Sequence, residues 1–250
     1  MSPHFIINLI RNIVASIEKI YISFTDLLFL VDESRLEEIK GAHFHKIVYL
    51  YNSPPDYSLQ LGEAKSNNEK FVIFYAGGMH KGRGIEYMVK AINELQNVQL
   101  ILAGPELDYN TLKKQMPYMG DNVQYIGWLP SYQDVLKNTL NADILFRFND
   151  PNVPKSKYES PNKLFEAMMC SKPIIVNSEI GASKIVQEEQ CGILVPYGDI
   201  TAIKNAIIKL KTDDNLRHQL GSNGRNAYLK KYSWDIMRAR LIQAYADTNP

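Results

Sequence analysis

A short glycine-rich segment, residues 76–84 with the sequence AGGMHKGRG, carries the residue types that bind an anion. Glycines let backbone N–H groups approach a phosphate closely, and the N-terminus of a following helix adds partial positive charge. Gly77 and Gly78 supply that freedom of approach, while Lys81 and Arg83 supply full charges. The spacing matches neither the GxGxxG fingerprint nor the Walker loop, so a generic turn and a phosphate-binding loop both stay open.

A second group of polar residues lies at the start of an apolar helix that is predicted from residue 161 onward. Pro161 is tolerated in a first helical turn, where its missing N–H costs nothing. Asn162 and Lys163 follow it, and Glu166 lies in the middle of the apolar face. A surface carboxylate and a solvated lysine are the ordinary interpretations. The functional interpretation is a carboxylate that accepts hydrogen bonds from a sugar or ribose diol, beside N–H groups and an ammonium that bind phosphate.

Strands and helices alternate around these residues. Short apolar runs predict buried strands, and amphipathic segments between them predict helices. This alternation, with polar groups in the loops, is typical of a doubly wound, Rossmann-like α/β domain. The predicted strands are residues 71–75, 98–103, 123–126, 143–148, 174–176 and 193–195, and the helices between them are 85–95, 109–115, 131–140, 161–171 and 182–189.

The two ends of the chain predict further elements. An amphipathic helix is expected over residues 5–23, strands over 26–31 and 46–51, and a short helix capped by residues 32–34 between those strands. Residues 56–69 are polar and are predicted to form a linker. After Asp199 the pattern predicts helices at 201–211, 214–219 and 221–231, followed by a last amphipathic helix.

The motif PNKLFEAM at residues 161–168 indicates a protein family. Followed by a Lys-Pro turn, the strand at 174–176, a glycine loop and CGILVPYGD, it resembles the donor-binding domain of GT-B glycosyltransferases. The chain looks most like the large retaining family 4, also called group 1. The resemblance implies the last piece of an N-terminal acceptor domain over 1–55, the linker over 56–69, the donor-binding domain over 70–232, and a crossover helix over 233–250.

The resemblance also implies what the polar groups contact. In the family, a glycine loop with basic residues holds the donor diphosphate; Arg83-Gly84 matches its second half, and Lys81 compensates for the basic residue missing from the first. The hallmark of the family is two glutamates separated by seven residues. Glu166 matches the second, which contacts the ribose. Tyr158 stands in place of the first, and Glu159 is one position out of register.

The implied site can therefore be named residue by residue. Trp128 resembles a residue bordering the nucleobase, where stacking on the base and simple packing both stay open. Glu166, Arg83 and Lys163 are the catalytic candidates, and no metal or cofactor is expected, because protein cations stabilise the departing nucleoside diphosphate. The donor-binding candidates are Gly77, Gly78, Lys81, Arg83, Trp128, Leu129, Glu159, Pro161, Asn162, Lys163, Leu164 and Glu166.

Composition restricts the other function classes. The 250 residues are 45% hydrophobic and 22% charged with a net charge of +1, which indicates a globular chain and gives no argument for nucleic-acid binding. Cys170 and Cys191 lie in apolar contexts, and the low cysteine content fits a reducing, cytoplasmic compartment. No segment reaches the roughly 18 apolar residues of a membrane span. The first helix could lie on the inner face of a membrane, but packing inside a protein is the preferred interpretation.

Three functions stay open from the sequence. The first is a glycosyltransferase that uses a nucleotide-diphosphate sugar, such as a UDP- or GDP-sugar, and a glycan, lipid or polysaccharide precursor as acceptor. The second is a non-catalytic nucleotide-sugar-binding module or regulatory subunit, which Tyr158 favours. The third is another GT-B enzyme such as an epimerase. The resemblance covers one domain and the end of another, so a homo-oligomer or a partner that supplies the first domain is also open.

Overall fold

The computed structural model describes residues 3–62, 69–153, 158–159 and 162–248. The helices are α1 Pro3–Ile22, α2 Ser58–Leu61, α3 Ile85–Ile92, α4 Glu106–Gln115, α5 Tyr132–Asn141, α6 Asn162–Met169, α7 Ala182–Glu189, α8 Ile200–Thr212, α9 Asp214–Ala227 and α10 Trp234–Ala246. The strands are β1 Leu28–Leu30, β2 Ile47–Tyr49, β3 Phe71–Ala76, β4 Val98–Ala103, β5 Val123–Tyr125, β6 Ile144–Arg147, β7 Ile174–Asn177 and β8 Gly192–Val195. The chain divides into two compact units, one of Met1–Tyr51 with Asp235–Pro250 and one of Asn52–Trp234.

The smaller unit joins the two ends of the chain. Strands β1 and β2 pair in parallel, and a 3₁₀ turn at Glu33–Glu37 lies between them in the sequence. The side chain of Asp32 caps this turn by accepting a hydrogen bond from the Ser34 backbone N–H. Lys46 next to β2 forms an ion pair of 2.6 Å with Asp247 just beyond α10. Among the described residues, no helix is both long and apolar enough to cross a membrane.

The larger unit contains a six-stranded parallel sheet in the order β5-β4-β3-β6-β7-β8. The predicted doubly wound α/β fold is confirmed. Consecutive strands run outward from β3 in one direction as far as β5, and the sheet then continues from β6 on the other side of β3. This reversal is a topological switch point, and in open α/β sheets ligands bind at such a point, beyond the carboxyl ends of the strands.

Helices cover both faces of the sheet, so its central strands are buried on both sides. Every residue from Phe71 to Tyr75 in β3 is buried, as are all residues of β6 and β7. This explains why the strands appear in the sequence as continuous apolar runs rather than as alternating patterns. Cys170 and Cys191 are buried free thiols, and burial raises the pKa of each to about 12.

One helix differs from the sequence prediction. Residues 214–231 were expected to form two helices broken near Gly221, but α9 continues to Ala227 and passes into a π-helical turn at Tyr228–Tyr232. A Cβ atom on Gly221 would lie 2.2 Å from the Ser171 carbonyl oxygen. The glycine therefore permits close packing of α9 against the end of α6, and it does not break the helix.

The end of α6 forms without a glycine. Ser171 takes up the left-handed conformation with φ of +56°, and the N–H of Lys172 donates to the Ala167 carbonyl at 2.8 Å. This is the hydrogen-bond pattern of a Schellman cap. Residues 58–61, within the predicted linker, form α2, and Asp56 just before it makes an ion pair of 2.7 Å with Arg225.

Candidate functional site

The loops that follow β3, β4 and β5 are held together by backbone hydrogen bonds. The N–H of Gly77 donates to the Ala103 carbonyl at 2.9 Å, and the N–H of Gly104 donates to the Gly127 carbonyl at 3.0 Å. A Cβ atom on Gly104 would lie 2.3 Å from the Gly77 carbonyl oxygen. Only glycine allows this close approach, and the result is a compact rim at the carboxyl edge of the sheet.

A cavity of about 170 Å³ opens at this rim. Its walls are mostly apolar or glycine backbone, and the side chains of Tyr132 and Glu166 contribute oxygen atoms to it. Trp128 lies at its edge and is 70% exposed, which leaves its ring available for contact. The lining residues are Ala76, Gly77, Ala103, Gly104, Trp128, Leu129, Tyr132, Val135 and Glu166.

Glu166 lies on α6 and is only 8% exposed. Its Oε1 atom accepts a hydrogen bond of 3.1 Å from the Tyr132 hydroxyl. Burial raises the pKa of the Glu166 carboxyl, while the charge of Lys163, the hydrogen bond from Tyr132 and the charge of Arg147 act in the opposite direction. A buried carboxylate with one oxygen engaged in this way can accept further hydrogen bonds from a polyhydroxylated ligand.

Lys163, one helical turn before Glu166, points its ammonium at the glycine loop. Its Nζ atom lies 4.7 Å from the centroid of the Tyr75 ring and 3.0 Å from the position that a Cβ atom on Gly77 would occupy. Burial lowers the pKa of Lys163 to about 8; the charges of Arg147 and Arg83 also lower it, and Glu166 opposes them. An anion in the glycine loop would therefore meet a desolvated ammonium.

Arg83, in the same loop, is held by partners from the loop after β6 and from the segment before α6. Its Nη1 atom donates to Asn149 Oδ1 at 2.8 Å and also contacts the Glu159 carboxylate. The Nη2 atom of Arg147 donates to the Glu159 carbonyl at 3.1 Å. Burial raises the pKa of Glu159, but the hydrogen bond and charge of Arg83 outweigh it and leave this pKa below its usual range. The negative charge of Glu159 thus lies between the positive charges of Arg83 and Arg147.

Asparagines behind Arg83 fix its position. The Asn177 side chain accepts from the Asn149 backbone N–H at 2.9 Å and donates to the Asn149 carbonyl at 3.2 Å. This pair extends the β6–β7 hydrogen bonding by one step. The Glu179 carboxylate accepts from Asn177 at 2.9 Å and from the Tyr197 N–H at 3.0 Å. The Asn149 amide that holds Arg83 is therefore rigidly supported.

Comparisons with known proteins show the family of this chain. The family model described as "Glycosyl transferases group 1" matches residues 59–227. The chain belongs to the group 1 glycosyltransferase family. CapM of Staphylococcus aureus, a capsular polysaccharide biosynthesis glycosyltransferase, is 27% identical over 224 residues, which cover 87% of this chain and 50% of that protein. LpsD of Rhizobium meliloti, a lipopolysaccharide core biosynthesis glycosyltransferase, is 26% identical over 181 residues, 72% of this chain and 49% of that protein.

Solved structures of glycosyltransferases share the fold. Sucrose-phosphate synthase from Thermosynechococcus elongatus superposes with a TM-score of 0.75 at 20% identity, covering 93% of this chain and 61% of that one. Anabaena HepE in complex with UDP and glucose gives 0.73 at 16% identity, covering 90% and 64%. The predicted GT-B fold and group 1 family are confirmed. The chain spans about half the length of the curated relatives it matches.

The site residues predicted for this member of the group 1 family fall into clear groups. Glu166, Trp128, Leu129 and Gly77 line one cavity, and Lys163 contacts its glycine loop. Arg83 and Glu159 contact each other, and Gly78 accepts a hydrogen bond from Tyr75 at 2.7 Å. Lys81 and Asn162 are exposed, the Leu164 side chain is fully buried and can offer only its backbone, and Pro161 lies outside the described residues.

Four further residues support the site and were missed from the sequence. Tyr132 donates to Glu166, Asn149 and Arg147 hold Arg83 and Glu159, and Asp108 accepts from the Met79 N–H at 3.0 Å and so fixes the glycine loop. A polar residue directly after a predicted strand, such as Asn149, is a signal that could have been used. Tyr132 carries no such signal, because its role depends on the approach of α5 to α6.

Proposed function

We propose that this chain binds the nucleoside diphosphate part of a nucleotide-sugar donor and so performs the donor half of a glycosyl transfer. The observation that carries the proposal is a buried carboxylate, Glu166, in a glycine-rimmed cavity at the switch point of the sheet, with a desolvated ammonium, Lys163, next to the rim glycine Gly77. A carboxylate suits a diol, and an ammonium beside a glycine loop suits a phosphate. A nucleoside diphosphate carries both groups a short distance apart.

The chemistry of each part suggests how the donor lies. We expect the nucleobase against Trp128 and Leu129, because an exposed indole at an apolar rim offers a stacking surface. The ribose hydroxyls then donate to Glu166. The diphosphate lies against the backbone N–H groups of the glycine loop, with Lys163 and Arg83 as its cationic partners. Anabaena HepE, which shares the fold, was solved with UDP and with UDP-glucose.

In the transfer step the bond between the anomeric carbon and the diphosphate oxygen breaks, and negative charge develops on the leaving diphosphate. Preorganised cations in a low-dielectric site stabilise such charge strongly. Arg83 and Lys163, with Lys81 from the exposed side of the loop, are our candidates for this role, so the proposal needs no metal ion. Retention of configuration, and a glycan, lipid or polysaccharide precursor as acceptor, belong to the same proposal. The names of CapM and LpsD support that acceptor class.

Calorimetric titration of the chain with UDP, GDP and ADP tests the proposal. We expect one of these nucleotides to bind, and Glu166→Ala and Arg83→Ala each to weaken binding by about tenfold or more, since each removes a charged hydrogen-bonding group. Glu188→Ala removes an exposed carboxylate near the far end of α7 and is expected to bind like the wild type. Wild-type protein that binds none of the three, or binding that both site variants retain in full, contradicts the proposal.

A binding module without catalysis is the second candidate, and one observation favours it. Position 158 carries tyrosine, and the neighbouring Glu159 carboxylate contacts Arg83 and Asn149. Release of nucleoside diphosphate from the matching nucleotide sugar separates the two functions. Measurable release that falls in Lys163→Met indicates bond cleavage in the site. Tight donor binding with no release above the buffer rate, with or without an added glycan acceptor, favours the module.

A further inference from the structure

The hydroxyl group of Tyr132 occupies a position that the proposed function has not used. Tyr132 is the first residue of α5, and the Ser131 side chain before it caps that helix. The ring is 43% exposed, lines the same cavity as Glu166, and meets the Tyr57 ring edge-on at 6.5 Å between centroids. Its hydroxyl lies 3.1 Å from Glu166 Oε1. The Tyr132 hydroxyl oxygen on α5 and the Glu166 carboxylate on α6 thus lie next to each other in the cavity.

The protons on these groups determine what they can bind. An ionised carboxylate accepts hydrogen bonds and cannot donate one, whereas a phenol has a single proton. The Tyr132 hydroxyl therefore uses its only proton to donate the hydrogen bond to Glu166 Oε1. Its lone pairs, and those of Glu166 Oε2, remain for a ligand, and both can only accept. A ligand that satisfies the pair must bring two neighbouring hydrogen-bond donors.

We propose that Tyr132 is a specificity-determining residue, which together with Glu166 forms a pair of acceptors for the two adjacent hydroxyls of a ribose. The inference rests on the proposed function, since it concerns the nucleoside in the same cavity. It adds that the site selects ribonucleotides over 2′-deoxyribonucleotides, and that the ligand hydroxyl must act as a donor. Tyr132 also positions Glu166, because its hydrogen bond fixes the carboxylate on the cavity side of α6.

A merely structural role for Tyr132 would hold α5 and α6 together without affecting the titration of Glu166. The groups that face the Glu166 carboxyl are Lys163 on α6, Arg147 on β6 and Tyr132 on α5. Removal of the Tyr132 hydroxyl takes away a hydrogen bond that stabilises the carboxylate, so the pKa of Glu166 rises. Nucleotide binding needs the carboxylate, and its loss on acidification then begins at a higher pH in Tyr132→Phe than in the wild type.

The experiment compares UDP, GDP and ADP with their 2′-deoxy and 2′-fluoro-2′-deoxy forms by calorimetry between pH 5 and 8. The wild type is expected to bind the 2′-deoxy form about tenfold more weakly than the ribonucleotide. The 2′-fluoro form, whose fluorine can accept but not donate, is expected to bind as weakly as the 2′-deoxy form. In Tyr132→Phe the preference for the ribonucleotide over the 2′-deoxy form should fall below about threefold. The loss of nucleotide affinity on acidification should begin at a higher pH than in the wild type. Tyr118→Phe, in the loop that leads to the amino end of β5, is the matched control.

The outcomes separate this inference from the proposed function. Wild-type protein that binds no nucleotide overturns both. Wild-type binding with a full preference and an unchanged pH profile in Tyr132→Phe overturns the inference alone. Equal weakening of ribo- and deoxyribonucleotides without a pH shift identifies Tyr132 as a structural support and also overturns it. If the wild type binds the 2′-fluoro form as tightly as the ribonucleotide, a ligand group that cannot donate a hydrogen bond satisfies the site. That result contradicts the proposal that Tyr132 and Glu166 act only as acceptors.

Discussion

The buried ammonium of Lys163 makes diphosphate binding sensitive to alkaline pH. Burial lowers its pKa to about 8, so the group is mostly charged at pH 7 and about nine-tenths neutral at pH 9. A diphosphate beside the Nζ atom favours the charged form and raises the pKa in the complex. At pH 7 the Lys163 amine is already protonated before the diphosphate binds. At pH 9 it is mostly neutral, so it must take up a proton when the diphosphate binds.

The size of the effect follows from this titration. Above pH 8 the affinity for nucleoside diphosphate is expected to fall about tenfold per pH unit, as long as the pKa in the complex stays above the measuring pH. Between pH 7 and pH 9 the loss is about tenfold, or about 1.4 kcal/mol. Uptake of protons on binding rises over the same interval, from about 0.1 to about 0.9 per nucleotide.

Calorimetry in two buffers with different ionisation enthalpies measures both quantities, since the difference in heat counts the protons exchanged. Lys163→Met, which removes the charge at similar side-chain length, should bind more weakly at pH 7 and show no proton uptake at pH 9. Lys113→Met changes an exposed lysine on α4 and should behave like the wild type. Equal affinity at pH 7 and pH 9 without proton uptake would refute the assignment of Lys163 to the diphosphate.

Three substitutions test how the fold positions the site. Gly77→Ala forces a side chain onto a residue with φ of +138°, which should lower the free energy of unfolding by about 1–3 kcal/mol in urea and weaken diphosphate binding; wild-type values for both would contradict this. Gly221→Ala would bring its Cβ to 2.2 Å from the Ser171 carbonyl oxygen and should cost about 1–3 kcal/mol, read from the thermal midpoint, whereas an unchanged midpoint would show that α9 has room there. Asp56→Asn breaks the ion pair with Arg225, which holds the pKa of Asp56 below its usual range against the effect of burial. Its cost of about 1 kcal/mol should be present above about pH 4 and vanish as the wild-type carboxylate protonates at lower pH; a cost independent of pH would exclude the ion pair as its source.

The sequence predicts most elements of the larger unit well, because central strands such as β3 and β7 are nearly continuous apolar runs and helices such as α3 have a clear apolar face. Residues 98–103, for example, form β4 with the predicted bounds. For Glu166 the sequence left a surface carboxylate open, whereas the structure buries it together with every other residue from Leu164 to Met169 in α6. The predicted break between residues 219 and 221 is wrong, and a single sequence does not distinguish a glycine that permits helix packing, such as Gly221, from one that ends a helix.

The contacts within the site were harder to predict, because they join residues that are distant in the chain. Arg83 and Glu159 are 76 positions apart, and Tyr132 and Glu166 are 34 apart. The first contact joins the loop after β3 to the segment before α6, and the second joins α5 to α6. For Lys163 the sequence left a solvated surface lysine and a phosphate-binding ammonium open, and only the structure shows its Nζ atom next to Gly77 and over the Tyr75 ring.

A crystal structure of the chain with the nucleoside diphosphate that binds most tightly would show whether the donor lies at the carboxyl ends of β3, β4 and β5. We predict that the ribose hydroxyls contact Glu166 and Tyr132, and that the diphosphate lies within hydrogen-bond distance of Lys163 and of the N–H groups of the glycine loop. A nucleotide bound away from the carboxyl ends of β3, β4 and β5, or a diphosphate that contacts neither Lys163 nor Arg83, would contradict it.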